Sequence, residues 1–160
     1  MLEKDIALQL SRELKIDLFT IYREYLQILF LKYFYRQKES QKIYFKGGTA
    51  LRLLYGSFRF SEDLDFTSLV KKEELKELIN KSINELSVEI AGVRFKKTES
   101  IADSFSGRIF QELPEFNIPL TIRLDFSLRE KPVLSVDSSY LETIFPVSPY
   151  PLISHLKAEE

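Results

Sequence analysis

Cysteine and tryptophan are missing from the 160 residues, and histidine and methionine occur once each. Without cysteine there are no disulfides, no thiolate zinc sites and no cysteine nucleophile. The single histidine, His155, excludes multi-histidine metal sites and argues against a Ser-His-Asp triad. An excess of one charge is also lacking: 23 Lys and Arg stand against 24 Asp and Glu, a formal net of −1. Nothing therefore draws the whole molecule to nucleic acid or to a membrane, and any such binding must rest on a local patch. No apolar run reaches the ~20 residues of a membrane span. The start, Met1-Leu2-Glu3-Lys4-Asp5, has no basic region followed by an apolar core, so it does not read as a secretory signal. The expectation is a cytoplasmic protein with no membrane partner. Internal repeats and low-complexity segments are absent as well.

What is present is an aromatic-rich globular composition. Hydrophobic residues make up 44% and charged residues 29%, with 13 Phe and 8 Tyr. This length suits one domain over 1–160, large enough to bury a real core.

The spacing predicts a helix over 3–15, with Ile6, Leu8, Leu10 and Leu14 among charges, and a longer one over 17–37. In the second, Leu18, Ile21, Tyr22, Tyr25, Leu26, Leu29, Phe30, Tyr33 and Phe34 recur at steps of three and four. Ile28 and Leu31 widen that stripe, which makes it a core helix buried on most sides. After a polar break over 37–41, Ile43–Lys46 reads as a strand ending at Gly47-Gly48. A helix from Thr49 to Leu54 follows, closed by Gly56 as its C-cap. A turn over 57–62 leads into a strand over 63–66, and Ser68 then caps a helix over 71–86 carrying Leu75, Leu78, Ile79, Ile83 and Leu86. Beyond Gly92 the period shifts toward two, predicting strands near 93–96, 106–113 and 118–128. Residues 131–153 form a connector crowded with Pro132, Pro146, Pro149 and Pro151, with one edge strand over 133–136. Residues 154–160 read as the opening of a helix, too short to stand alone and so apparently truncated.

Chemistry concentrates around the glycine pair. A strand, then Gly47-Gly48-Thr49, then a helix places backbone N–H groups and a hydroxyl at a helix N-terminus, a natural phosphate seat. Taken alone the pair is equally a tight turn, and it matches neither the Walker A nor the Rossmann pattern. Asp63 and Asp65 flank Leu64, so in a strand they share one face, ~7 Å apart at ~3.3 Å per residue. Unpaired they repel one another, and a hard divalent cation with oxygen ligands relieves that cost. Such pairs also occur at plain strand ends. A third carboxylate, Asp125, lies inside the alternating run Thr121-Ile122-Arg123-Leu124-Asp125-Phe126, where it shares a face with Thr121 and Arg123. A phosphate cradle, metal-holding carboxylates and a third carboxylate are the parts phosphoryl-type transfer needs.

The blocks Phe45-Lys46-Gly47-Gly48-Thr49-Ala50-Leu51, Arg59-Phe60-Ser61-Glu62-Asp63-Leu64-Asp65-Phe66 and Ile122-Arg123-Leu124-Asp125-Phe126 resemble the AbiEii/AbiGii toxin family. These are nucleotidyltransferase-fold toxins of type IV toxin–antitoxin and phage-abortive-infection systems. The first two blocks together are highly specific; the third is weak alone. The resemblance implies an α+β fold: a nucleotidyltransferase-like mixed sheet with flanking helices, N-terminal helices over 3–37, a catalytic core over 43–128 and a C-terminal helical region. It implies that Gly47, Gly48 and Thr49 contact nucleotide phosphates and that Asp63 and Asp65 bind Mg²⁺ or Mn²⁺, with Asp125 as third carboxylate. Lys46, Arg59 and Ser61 complete the expected nucleotide-binding set. The family's additional Lys and Asp belong to the C-terminal helical region, and Lys157 stands too early to supply the Lys.

The implied activity is transfer of a nucleoside monophosphate from an NTP to an acceptor hydroxyl, an RNA such as the tRNA 3′ end, opposed by a cognate antitoxin. Two other readings remain: a non-catalytic RNA- or partner-binding domain that keeps the fold, and a metal-dependent phosphohydrolase. Lys46 and Arg59 are alternatively surface ion-pair residues, with Glu62 as one partner. Arg94, Lys96 and Lys97 read either as an RNA-facing patch or as a solvated strand edge. His155 reads as a helix-start residue without a chemical role.

Overall fold

The computed structural model describes residues 1–98, 100–129 and 136–158. Helix α1 (Lys4–Leu14) leads into α2 (Leu18–Tyr35), a 3-10 turn over Lys38–Lys42, β1 (Ile43–Lys46) and α3 (Gly47–Tyr55). Then come β2 (Asp63–Ser68), α4 (Lys72–Glu89), β3 (Val93–Lys97), β4 (Ser104–Gln111), β5 (Leu120–Ser127), β6 (Asp137–Tyr140) and β7 (Leu152–His155). The seven strands form one sheet in the order β3-β4-β5-β2-β1-β7-β6. Pairing is parallel between β2 and β5 and between β1 and β7, and antiparallel elsewhere. The expected α+β architecture with a mixed sheet and flanking helices is what the chain adopts.

Helix α2 starts at Asp17, whose carboxylate accepts from the Thr20 N–H at 3.0 Å and from its hydroxyl at 2.8 Å. Twelve of its 18 residues are buried, as the wide apolar stripe requires. Its Phe34 ring lies 5.6 Å from Phe66 and 6.0 Å from Phe126, so the helix sits on the aromatic centre of the sheet. There Phe66 of β2 and Phe126 of β5 stack at 4.6 Å, 9° from coplanar. Phe45 and Phe105 extend the cluster onto β1 and β4.

Alternation decides the other face. Along β5 the burial alternates from Leu120, with Ile122, Leu124 and Phe126 buried and Arg123 exposed between them. Along β4, Phe105, Gly107 and Ile109 are buried while Arg108 is exposed. Helices α2 and α4 cover the apolar side, and the polar side of β3, β4 and β5 stays open to solvent. Among the described residues no helix is long and apolar enough to cross a membrane.

Two expectations need correcting, and a third falls mostly outside the described residues. Ser68 does not cap α4: Thr67 and Ser68 pair with Tyr44 and Ile43, which draws Ser68 into β2. Its hydroxyl accepts from the Val70 N–H at 3.0 Å, and Lys71 stands at the N-cap without a side-chain bond. Residues 152–155 are strand, not the approach to a helix. The free edge of β1 offers backbone partners, His155 pairs with Phe45, and the Leu156 N–H donates to the Phe45 carbonyl at 3.0 Å. That ladder outweighs a helix of two turns, which is marginal in water. His155 is therefore a buried sheet residue, its ring bonded to the Leu156 carbonyl at 2.9 Å and the Ser139 hydroxyl at 2.8 Å. Finally, the edge strand expected over 133–136 falls mostly outside the described residues; the strand seen in that region is β6, from Asp137 to Tyr140.

The Phe66–Phe126 stack ties the two strands of the parallel pair to α2, so truncating it tests the core directly. Phe126→Ala is expected to lower unfolding free energy by about 3–5 kcal/mol, read from urea denaturation followed by circular dichroism.

Candidate active site

The parallel pairing of β2 with β5 places Asp63 beside Arg123 and Asp65 beside Asp125. Paired residues on neighbouring strands project to the same side of a sheet. The three aspartates, distant in sequence, thus share one face, with Leu64, Phe66, Leu124 and Phe126 on the other. On its second flank Asp65 pairs with Lys46 of β1.

Asp65 is the stressed member. Burial pushes its carboxyl up to about 6, the neighbouring Asp125 and Asp63 carboxylates add to the rise, and Lys46 and Arg123 oppose it. Asp125 is held from two directions: the Ser106 hydroxyl donates to Oδ1 at 2.6 Å, and the Arg123 Nε forms an ion pair with Oδ2 at 3.0 Å. A cavity of 280 Å³ adjoins it, bordered by Ser104, Ser127 and Arg129. Ser106 escaped the sequence reading because its role depends on the β4–β5 register. Arg123 carried a signal, two residues before Asp125 on the same strand face.

The glycine pair packs against this group. Gly47 has φ +85, and a Cβ there would stand 2.7 Å from the Asp65 Oδ2. Both conformation and closeness demand glycine. Above Gly48 is Ser61, whose side chain would lie 3.7 Å from an added Cβ. Thr49 is buried, and its hydroxyl donates to the Asp63 carbonyl, so this side chain joins α3 to β2. What remains for a phosphate at this end of α3 is backbone N–H. Beside it a cleft of 270 Å³ opens between Gly47, Ala50 and Leu51 on one side and 156–158 on the other. Arg59 is exposed on the loop before β2. Glu62 pairs with Arg23 at 3.4 Å, not with Arg59.

Helix α2 braces the arrangement through groups that periodicity did not mark. Buried Glu24 pairs with Arg52 of α3, whose guanidinium also lies 3.4 Å from the Phe60 ring centroid. Buried Gln27 donates to the Ser61 carbonyl at 2.9 Å. Among the described residues, no three carboxylate or imidazole side chains already stand close enough to hold a metal ion. The grouping of basic residues on β3 also divides: Arg94 and Lys96 share the aspartates' face, while Lys97 turns the other way, its Nζ 5.6 Å from the Phe105 ring centroid.

A family model described as nucleotidyl transferase AbiEii toxin, type IV TA system, matches residues 29–160. The chain belongs to this family. Comparison with curated proteins gives no match. The AbiEii-family chain is similar in structure to a putative nucleotidyltransferase from H. pylori, at 22% identity and TM-score 0.59, over 88% of this chain and 54% of that one. It is also similar to JHP933 from Helicobacter pylori, at 25% identity and TM-score 0.57, over 77% and 49%. A third likeness is to the nucleotidyltransferase toxin MenT4 from Mycobacterium tuberculosis H37Rv, at 19% identity and TM-score 0.54, over 94% and 54%. The chain spans about half the length of these structures.

The raised carboxyl of Asp65 fixes a sign. A folded value near 6, against an ordinary 3.8, means the native state holds this proton more tightly than the unfolded chain. The ionised carboxylate therefore destabilises the fold progressively between about pH 4 and 6. Asp65→Asn is expected to melt higher than the parent at about pH 7.5, with the difference vanishing near pH 4, in paired thermal melts. Gly47→Ala is expected to destabilise the fold by at least about 1–2 kcal/mol, through the positive φ and the collision with Asp65, read by the same melts.

Proposed function

We propose that this AbiEii-family chain carries the catalytic centre of a nucleotidyltransferase that moves a nucleoside monophosphate from an NTP to an acceptor hydroxyl, with pyrophosphate as the leaving group. The observation that carries this reading is the register of β2 on β5, which sets Asp65 beside Asp125 on the face that also bears Asp63. The donor set suits a hard divalent cation, Mg²⁺ or Mn²⁺. All its ligands are carboxylate oxygens, and partial burial with two like neighbours disfavours the Asp65 carboxylate, a cost that a cation relieves. Asp63 and Asp65 would hold the ion with Asp125 completing the set. Bound there, a divalent cation supplies charge neutralisation on the triphosphate and a lowered pKa for the acceptor hydroxyl.

The remaining work falls to the chain itself. Backbone N–H groups at the start of α3, beginning at Gly47 and Gly48, face the phosphates with the positive end of the helix dipole. Lys46 and Arg59 add positive charge on either side, and Ser61 covers Gly48. Thr49 contributes by position, fixing α3 to the strand that carries Asp63 and Asp65. Asp125, oriented by Ser106 and Arg123, accepts the hydrogen bond of the acceptor hydroxyl and polarises it toward attack. The family match supports an antitoxin as partner, and we take an RNA, such as the tRNA 3′ end, as acceptor in the cytoplasm.

Incubation of the protein at its full genomic length with labelled NTPs, Mg²⁺ and total tRNA tests the proposal. Label is expected to enter RNA, and Asp63→Ala, Asp65→Ala and Asp125→Ala are each expected to reduce this at least about 100-fold. Free phosphate or monophosphate without labelled RNA would make the centre a hydrolase. Retention of RNA without turnover would make it a binding domain.

A further inference from the structure

The open face of the sheet carries a second pattern. Arg94 and Lys96 of β3, Arg108 of β4 and Arg123 of β5 are all exposed there. Register aligns Lys96 with Arg108, Arg108 with Arg123, and Arg123 with Asp63. Three cations thus form one row across adjacent strands, and the row runs into the strand bearing Asp63 and Asp65. Arg94 flanks it, its guanidinium 4.7 Å from the ring centroid of Phe110. Among the described residues Arg94, Lys96 and Arg108 form no ion pair, whereas Arg123 holds Asp125. Like charges on opposed strand positions cost stability, and in a chain of net charge −1 such a row does not follow from overall composition. An anionic ligand laid along the row removes the cost.

We propose that this row is the docking track for a single-stranded end of a nucleic acid, and that it delivers the terminal hydroxyl to Asp65 and Asp125. The delivery rests on the transferase reading above; the docking does not. Width and ending select the ligand. The row is one residue wide, and at ~4.8 Å between strands it measures ~10 Å from Lys96 to Arg123, room for two or three backbone phosphates. It then stops at Asp63, where cations give way to the carboxylates of β2. A strand that ends at the aspartates fits; a duplex running across them does not. The glycine turn continues β1, which flanks Asp65 on the side away from β5, and α3 packs against the start of β2. Nucleotide and acceptor therefore reach the aspartates from opposite sides and do not compete for one surface.

The test variant is Arg94→Gln with Lys96→Gln and Arg108→Gln, three exposed side chains apart from the aspartates and the glycine turn, with a circular dichroism melt as fold control. The probes are a labelled RNA duplex with a 3′ overhang of about four nucleotides, the same duplex blunt, and the DNA equivalent of the overhang. Fluorescence anisotropy follows each from about 50 to 200 mM KCl. The variant is expected to bind the RNA overhang at least about 10-fold more weakly. Its slope of log affinity on log salt should be shallower by about 2, at ~0.7 per lost single-strand contact. Retention of labelled NTP should be unchanged. Equal affinity and slope in variant and parent would overturn the track, and so would a blunt duplex bound as tightly as the overhang. Equal binding of the DNA overhang supports the track and widens its ligand to any single-stranded end. If the overhang results hold while the parent transfers no label, the transferase reading fails and the track stands. If label is transferred and the variant's KM for RNA is unchanged, the track fails and the transferase reading stands.

Discussion

The parallel pairing of β2 with β5 is the constraint from which the rest of the structure takes its order. Side chains on paired strands keep a common direction, so one register assigns two sets of residues at once. Leu64 and Phe66 join Leu124 and Phe126 beneath α2, while Asp63 and Asp65 join Arg123 and Asp125 on the opposite face. A slip of one residue would bury carboxylates against Phe34 and expose the stacked phenylalanines. The hydrophobic effect thus enforces the arrangement of the acidic site: the core tolerates no other alignment, and the aspartates inherit their positions from it.

The same economy appears in how α2 is used. A helix buried on nearly all sides has little room for charge, yet it carries Glu24 and Gln27 in buried positions. Neither is left unsatisfied. Glu24 is paired with Arg52, and Gln27 caps the Ser61 carbonyl, so the two polar groups lock α3 and the loop before β2. A buried polar group costs free energy unless partnered, which makes these contacts specific as well as stabilising. The first turn of α3 is then fixed from three directions: by α2, by the Thr49 hydroxyl on β2, and by the passage of Gly47 over Asp65.

How much of this was legible in the sequence depended on whether the deciding interaction was local. The β1 bounds, the α3 C-cap at Gly56 with φ +74 and the alternation of β5 all follow from neighbours in the chain, and they were read correctly. The common face of Asp63 and Asp65 needed only strand geometry. Strand β7 was misread because four residues of mixed polarity become a strand only when β1 offers an edge over 100 residues away in sequence. Thr49 shows the same limit at the level of one atom. Its place after two glycines gives no sign that the carbonyl taking its hydroxyl belongs to another element. Ser106, Glu24 and Gln27 left no periodic trace, since each matters through a partner brought near by tertiary packing. Lys97, next to Lys96, faces the other side by strand alternation, a distinction that adjacency of charge conceals.

Where the fold violates its own local rules is informative, because natural sequences are otherwise consistent from propensity to packing. Elsewhere Gln37 bonds Ser82 and the Leu78 carbonyl and Ser40 returns to the end of α2, while the buried Arg23 Nε and Glu85 Oε2 lack hydrogen-bond partners among the described residues. Several further conflicts gather on one face of the sheet. Gly47 holds a backbone conformation that side chains resist; Asp65 keeps a carboxylate where burial and two like charges oppose it; Thr67, two residues along the same strand face, buries a hydroxyl with no partner. The exposed cations of β3 and β4 add like-charge repulsion to that surface. Each conflict lowers the stability of the bare protein, and each is of a kind that a bound group can offset: a cation between carboxylates, phosphates along a helix start or a row of guanidinium and ammonium groups. A surface selected for stability alone would not collect them in one place, and their common location is the physical argument that this face exists to be occupied.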